Sequence, residues 1–148
     1  MIKFTVRGKA APAGSKNAFP RRDKFGQLTG GVIVSDASKY GKEWRLIVQS
    51  AARLAMRGGK RKFEGPVLLR LDFEVKRPRD HYFKSGKLKD SAPAYPTKKP
   101  DLTKLIRAVE DALTGICWAD DVQVVRQHAS KVYGETDILF VYIKDIEP

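Results

Sequence analysis

The sequence predicts an α+β fold in a single domain, 1–148: a mixed or antiparallel sheet with two helices, in the order β-α-β-α-β-β. Three observations carry this expectation. Residues 67–75 alternate apolar and polar side chains with the two-residue period of a strand. Residues 39–57 and 101–113 instead repeat apolar side chains at the spacing of an amphipathic helix. One alternating run (2–8) precedes the first helix, and two more (122–133 and 136–143) follow the second. The 148 residues, 42% hydrophobic and 31% charged, suffice to bury one core.

Ile2 to Gly8 read as a short half-buried strand. Pro12, Gly14 and Ser15 then signal a loop, made basic by Lys16, Arg21, Arg22 and Lys24. Lys16 and neighbouring backbone N–H groups suit a phosphate contact there, and a solvated loop is the plain alternative. Gly31 to Ser35 are short and extended. Asp36 or Ser38 caps a helix from about Lys39 to Arg57, with Trp44, Ile47, Val48, Ala51, Leu54 and Ala55 as its inward stripe. Gly58-Gly59 ends it.

In the strand that follows, Leu69, Leu71, Phe73 and Val75 point one way. Arg70, Asp72 and Glu74 point the other, which suits carboxylates paired with cations on a solvent-facing surface. Residues 76–100 form a long basic connector, carrying Lys76, Arg77, Arg79, Lys84, Lys87, Lys89, Lys98 and Lys99 against Asp80 and Asp90. With Tyr82, Phe83 and Tyr95 interleaved, it reads as a flexible arm that follows a phosphate backbone and offers a ring for stacking. A charge-solubilised insertion is the competing reading.

The organising stretch comes next. Pro100 fixes the start of a helix, and the Asp101 side chain can accept the first orphan N–H groups. Leu102, Leu105, Ile106, Val109, Ala112 and Leu113 form its apolar stripe, leaving Lys104, Arg107 and Asp111 on the polar face. Gly115 stops the helix. Asp120-Asp121 follow, leading into Gln123-Val124-Val125. The last two strands meet around Tyr133-Gly134-Glu135, most simply as a hairpin. The final strand is apolar on both faces, as suits a central strand or one covered by a dimer partner.

Net charge is +12, which favours a polyanionic partner, most simply nucleic acid. The single cysteine, Cys117, excludes an intramolecular disulfide and any cysteine-based zinc cluster, and it fits a reducing cytoplasm. Neither a signal peptide nor an apolar run near the ~20 residues of a membrane span is expected.

The stretch from Lys99-Pro100-Asp101 through Asp111-Ala112-Leu113 to Asp120-Asp121 and Gln123-Val124-Val125 resembles the core motif of the RusA-type Holliday-junction resolvases. That resemblance implies an Mg²⁺-dependent endodeoxyribonuclease, with Mn²⁺ as a substitute metal and no small-molecule cofactor. It implies paired nicks in branched DNA by a homodimer in the bacterial or phage-infected cytoplasm, away from membranes. Asp101 and Asp121 match the family's metal positions, and Asp120 is the adjacent carboxylate. The family's second aspartate falls on Thr103 and its active-site lysine on Arg107, which keeps the charge but cannot release a proton. Asp120, or a water held by Thr103, is then expected to complete the metal site, with Arg107 clamping the scissile phosphate. Lys16, Arg79, Lys84, Lys87, Lys89, Lys98, Lys99 and Lys104 are the expected DNA contacts.

Chain geometry leaves two arrangements open. A helix from Asp101 to Thr114 spans about 20 Å, and residues 115–121 can reach roughly 23 Å if extended, so Asp121 can just return to Asp101. Otherwise Asp111, Asp120 and Asp121 gather at the far end. Two other function classes stay in play: a basic DNA-binding protein that kept the fold but lost cleavage through Thr103, and an RNA-associated basic domain indifferent to Asp101.

Overall fold

The computed structural model describes residues 1–13, 16–36 and 40–147. The strands are β1 (Ile2–Arg7), β2 (Lys16–Arg22), β3 (Leu28–Asp36), β4 (Val67–Lys76), β5 (Val124–Gly134) and β6 (Ile138–Asp145). The helices are α1 (Gly41–Ala55) and α2 (Leu102–Leu113), with short 3₁₀ turns at Arg79–His81 and Asp121–Gln123. The architecture is α+β, as expected.

Four strands form one mixed sheet in the order β1-β6-β4-β5, and β2 and β3 form a separate two-stranded ribbon. β4 runs parallel to β5 and antiparallel to β6. A parallel pair needs a crossover, and the connector with α2 supplies it. The expected hairpin between the last two strands is therefore corrected, because β4 lies between them. Residue composition explains this order. β5 carries Arg126, Gln127 and His128, all exposed, and suits an edge. β6 places Leu139, Val141 and Ile143 in the core, with Phe140 and Tyr142 on the opposite face, and takes a central position. The turn between β5 and β6 crosses the end of β4, where the Lys76 N–H donates to Asp137 Oδ1 (2.9 Å) and the Arg77 N–H to the Gly134 carbonyl (3.1 Å).

Both helices contribute to the core on one sheet face, α1 packing against β1 and α2, and α2 against β5. Trp44, Val48 and Ala52 are the buried residues of α1, whereas Leu54, placed in its stripe by spacing, is exposed. The helix begins at Gly41 with Tyr40 before it, so Asp36 belongs to β3 and Ser38 lies outside the described residues. The basic loop expected between Ala11 and Lys24 is also corrected, since Lys16–Arg22 forms a strand paired with β3. Pro20 and the absence of alternation disguise it, and both are tolerated in a ribbon with free edges. On the bare sheet face Arg70 Nε meets Asp72 Oδ2 at 2.7 Å, the outward pairing the alternation implied.

Residues 76–100, expected as a flexible arm, begin with the last residue of β4 and carry hydrogen-bonded structure of their own beyond it. Arg77 stacks its guanidinium over Tyr133 (4.2 Å) and donates to the Pro93 carbonyl (2.8 Å). Lys89 Nζ donates to the Asp80 carbonyl at 2.8 Å. Among the described residues no helix is long and apolar enough to cross a membrane.

Candidate active site

α2 buries Leu105, Val109, Ala112 and Leu113 and leaves a polar ridge. Thr103, Arg107 and Asp111 follow one another at four-residue spacing and are all exposed, so they share one outward line. Asp101 stands at its start and Asp120-Asp121 beyond its end.

At the start, Asp101 holds the N-cap position with φ −70° and ψ 138°, and its carbonyl accepts from the Leu105 N–H. Its side chain makes no capping hydrogen bond, contrary to the expected role. The carboxylate instead lies 3.5 Å from Lys104 Nζ and remains available to a ligand. The peptide before Pro100 is cis. Lys131 Nζ, from β5, donates to the carbonyls of Lys98 (3.0 Å) and Pro100 (2.8 Å) and holds this approach in place. A cavity of about 310 Å³ opens beside it, lined in part by Lys9, Pro12, Lys99, Pro100, Asp101 and Lys104.

At the other end Gly115 takes φ +85°, which closes α2. The Gly115 N–H then donates to the Trp118 carbonyl (2.7 Å), and Trp118 Nε1 to Thr114 Oγ1 (3.1 Å), a tight bend around buried Cys117 and Trp118. Gln123 locks the segment beyond. Its Oε1 accepts from the Ala119 and Asp120 N–H groups, and its Nε2 donates to the carbonyls of Phe63 and Gly65. Asp120 Oδ1 accepts from the Val122 N–H at 3.1 Å. Asp120 and Asp121 are thereby presented to solvent on a rigid turn.

The carboxylates at this end feel one another. Asp121 has its pKa raised, chiefly by a hydrogen bond with the Asp120 carboxyl, then by desolvation and the charges of Asp120 and Asp111. Glu110 is raised by burial first, then by Asp121 and Asp111, against lowering by Gln127 and Arg107. Among the described residues no Lys or Arg forms an ion pair with Asp111, Asp120 or Asp121. Uncompensated carboxylates of this kind fit a hard divalent cation. Among the described residues, however, no three His, Cys, Asp or Glu side chains converge closely enough to hold one.

The two ends do not meet within the chain. Lys131 sits under the start of α2, and Gln127 Nε2 reaches Glu110 Oε1 near its end (2.8 Å), so α2 runs antiparallel to β5. Asp111 lies about 15 Å along the axis from Asp101. Asp121 lies beyond the far end of a strand whose stretch from Val124 to Lys131 covers roughly 23 Å. The chain bends at Gly115 and brings Asp121 near Glu110 and Asp111 in the last turns of α2, so Asp121 does not return to Asp101.

Of the expected DNA contacts, Arg79, Lys84, Lys87, Lys98 and Lys99 are exposed. Lys89 and Lys104 are partly engaged within the chain, and Lys16 begins β2 with its side chain outside the described residues. Sequence reasoning missed Lys131 and Gln127, for which no local signal exists. It also missed the anchoring by Gln123, although Asp120-x-x-Gln123 has capping-box spacing.

Comparison with known proteins addresses this arrangement directly. Residues 13–144 match the model of the family described as Endodeoxyribonuclease RusA. The chain belongs to the RusA family. This RusA-family chain is also 31% identical over 151 residues to a protein of Bacillus subtilis (strain 168) described as "Uncharacterized protein YqaN", covering 98% of this chain and 96% of that one. Membership places the protein among RusA endodeoxyribonucleases, a Holliday-junction nuclease family that is generally dependent on divalent metal and acts on branched DNA.

Proposed function

We propose that this protein is an Mg²⁺-dependent resolvase of four-way DNA junctions, acting in the cytoplasm as a homodimer whose active sites form across the subunit boundary. One observation carries the reading: Asp101 and Asp121 flank opposite ends of α2, which runs antiparallel to β5, and among the described residues neither end alone has a full ligand set. A two-fold axis that sets two α2 helices side by side and antiparallel brings Asp101 of one protomer to Asp121 of the partner subunit. Two such sites, related by the axis, match the approximate two-fold symmetry of a four-way junction and its need for two nicks.

Asp101, with Asp121 and Asp120 of the other protomer, would hold the cation. Such a cation would lower the barrier to attack by water and neutralise charge during phosphodiester hydrolysis. The chain's own groups do the rest. Arg107 offers a planar fork to the scissile phosphate, and Thr103 presents a hydroxyl where a water is to be held. Lys98, Lys99 and Lys104 surround Asp101 with positive charge that draws the backbone in.

Subunit mixing tests the reading. Asp101→Asn and Asp121→Asn are each incubated with a labelled four-way junction in Mg²⁺, then mixed and reassorted. Each variant alone is inactive. A heterodimer regains one intact site of its two, so the mixture recovers about a quarter of the unmodified nicking rate. A dead mixture rejects the shared site.

Thr103 supports a second reading, a junction-binding protein without cleavage. Tight, salt-sensitive junction binding with no nicking by the unmodified protein would select it.

A further inference from the structure

The β2–β3 ribbon is not part of the core sheet, and its residues Phe19, Leu28, Val32 and Ile33 are exposed. Two-stranded ribbons are marginal by themselves, so apolar side chains displayed on one point to a ligand that covers them. The tip, Asp23–Gln27, shows what kind. Asp23 Oδ1 turns inward to accept the N–H groups of Phe25 (2.8 Å) and Gln27 (3.0 Å). The Asp23 N–H donates to the Gln27 carbonyl (2.9 Å), the Gly26 N–H to the Asp23 carbonyl (3.0 Å), and Arg22 Nη1 to the Gly26 carbonyl (2.7 Å). Gly26 takes φ +81°, which the turn requires.

This network turns the only tip carboxylate onto the turn's own amides and leaves one apolar group at the apex. Phe25 is 78% exposed, with Lys24 Nζ 5.1 Å from its ring centroid. Arg21 and Arg22, at the end of β2 that leads into the tip, are exposed, as is Lys24. β2 alone carries this apex about 20 Å from the base of the ribbon. An aromatic point on a hydrogen-bonded turn, with Lys24 beside it and two arginines on the adjoining strand, has the chemistry of a side chain that enters a base step while its neighbours hold phosphates.

We infer that the β2–β3 arm is a DNA-opening wedge: Phe25 inserts at the branch point of a junction, and Arg21, Arg22 and Lys24 bind the flanking phosphates. This inference rests on the junction-binding reading above. A branch point is the cheapest place for insertion, because stacking is already interrupted there. Covering the tip with the same tip of a second copy is less favourable, since Arg21, Arg22 and Lys24 would then face their own like charges.

The test uses a four-way junction with 2-aminopurine at the branch nucleotides and a matched linear duplex, in EDTA so that no cleavage intervenes. Binding is read by anisotropy and unstacking by 2-aminopurine fluorescence, for the unmodified protein, Phe25→Ala and Phe25→Trp. The expected result is a fluorescence rise on junction binding that Phe25→Ala loses and Phe25→Trp keeps. Phe25→Ala should also weaken junction affinity by about tenfold, with duplex affinity little changed. An equal fluorescence rise with Phe25→Ala overturns the wedge while leaving junction binding intact. Absence of junction binding by the unmodified protein overturns both readings. Conversion of a dimer to monomer by Phe25→Ala without DNA also overturns the wedge, and assigns the arm to a second copy.

Discussion

Lys131 Nζ donates to the carbonyl of Pro100 at 2.8 Å, so the residue immediately before Asp101 is held from a strand residue thirty-one positions later in the chain. The same ammonium group reaches the Lys98 carbonyl at 3.0 Å. Together these contacts fix where the start of α2, and with it the Asp101 carboxylate, meets the edge of the sheet.

Lys131→Met keeps most of the apolar stem and removes both donors. The expected outcome is a loss of about 1–2 kcal/mol in urea unfolding, because two carbonyls lose a partly buried charged donor. Junction nicking should fall as well, since Asp101 is no longer held in register. Unchanged stability would show that the two contacts are not maintained in solution.

Thr103 sits on the exposed ridge with Arg107 and Asp111, where the proposed metal site would gain from a carboxylate. Thr103→Asp adds a hard ligand near Asp101 at little structural cost. Mg²⁺-dependent junction nicking should rise by about tenfold or more, as metal-borne charge stabilisation amounts to several kcal/mol. Equal rates in single-turnover assays would mean that the hydroxyl already suffices.

Asp121 is raised chiefly by its hydrogen bond with Asp120 and Glu110 chiefly by burial, and the negative charge of Asp111 adds to both. Folded pKa values above the unfolded ones mean that these groups favour the folded state at low pH, an advantage lost as pH rises through their folded values. Asp111→Asn should therefore raise the melting temperature slightly at pH 7, by about 1–2 °C, and less at pH 4. Equal shifts at both pH values would contradict the electrostatic account.

Cys117 is fully buried beside Trp118, and burial pushes its thiol up to about 12 from an ordinary 9.0. The sign follows from the unfolded chain, which releases this proton first, so stability contributed by the neutral thiol is lost as pH rises from about 9 towards 12. Cys117→Ala should show a shallower alkaline loss than the unmodified protein. Iodoacetamide at pH 8 should label Cys117 only when denaturant is present.

Much of the fold was legible because burial leaves a local imprint. The stripe Leu105, Val109, Ala112 and Leu113 identified α2 and its boundaries, and Gly115 its end. The doubly apolar run at 138–143 suited either a central strand or one covered by a partner, and β6 takes a central place in the sheet. β2 escaped notice because a ribbon exposed on both faces imposes no alternation. The candidate site was legible as a set of residue types, with Asp101, Asp111, Asp120 and Asp121 on the polar side of one helix and its flanks. The capping role given to the Asp101 side chain was not borne out, because only its backbone serves the helix.

Local periodicity and composition determined the class of fold, the inward face of each helix, the polyanionic partner class and the carboxylates on display, since each depends on residues near one another in the chain. Tertiary structure alone decided that β4 separates β5 from β6, that α2 lies antiparallel to β5, and that Asp101 and Asp121 end far apart. Those outcomes depend on which edges pair and which distant donors satisfy backbone carbonyls. Lys76 with Asp137, Gln127 with Glu110 and Lys131 with Pro100 are such contacts, and none leaves a trace in sequence spacing.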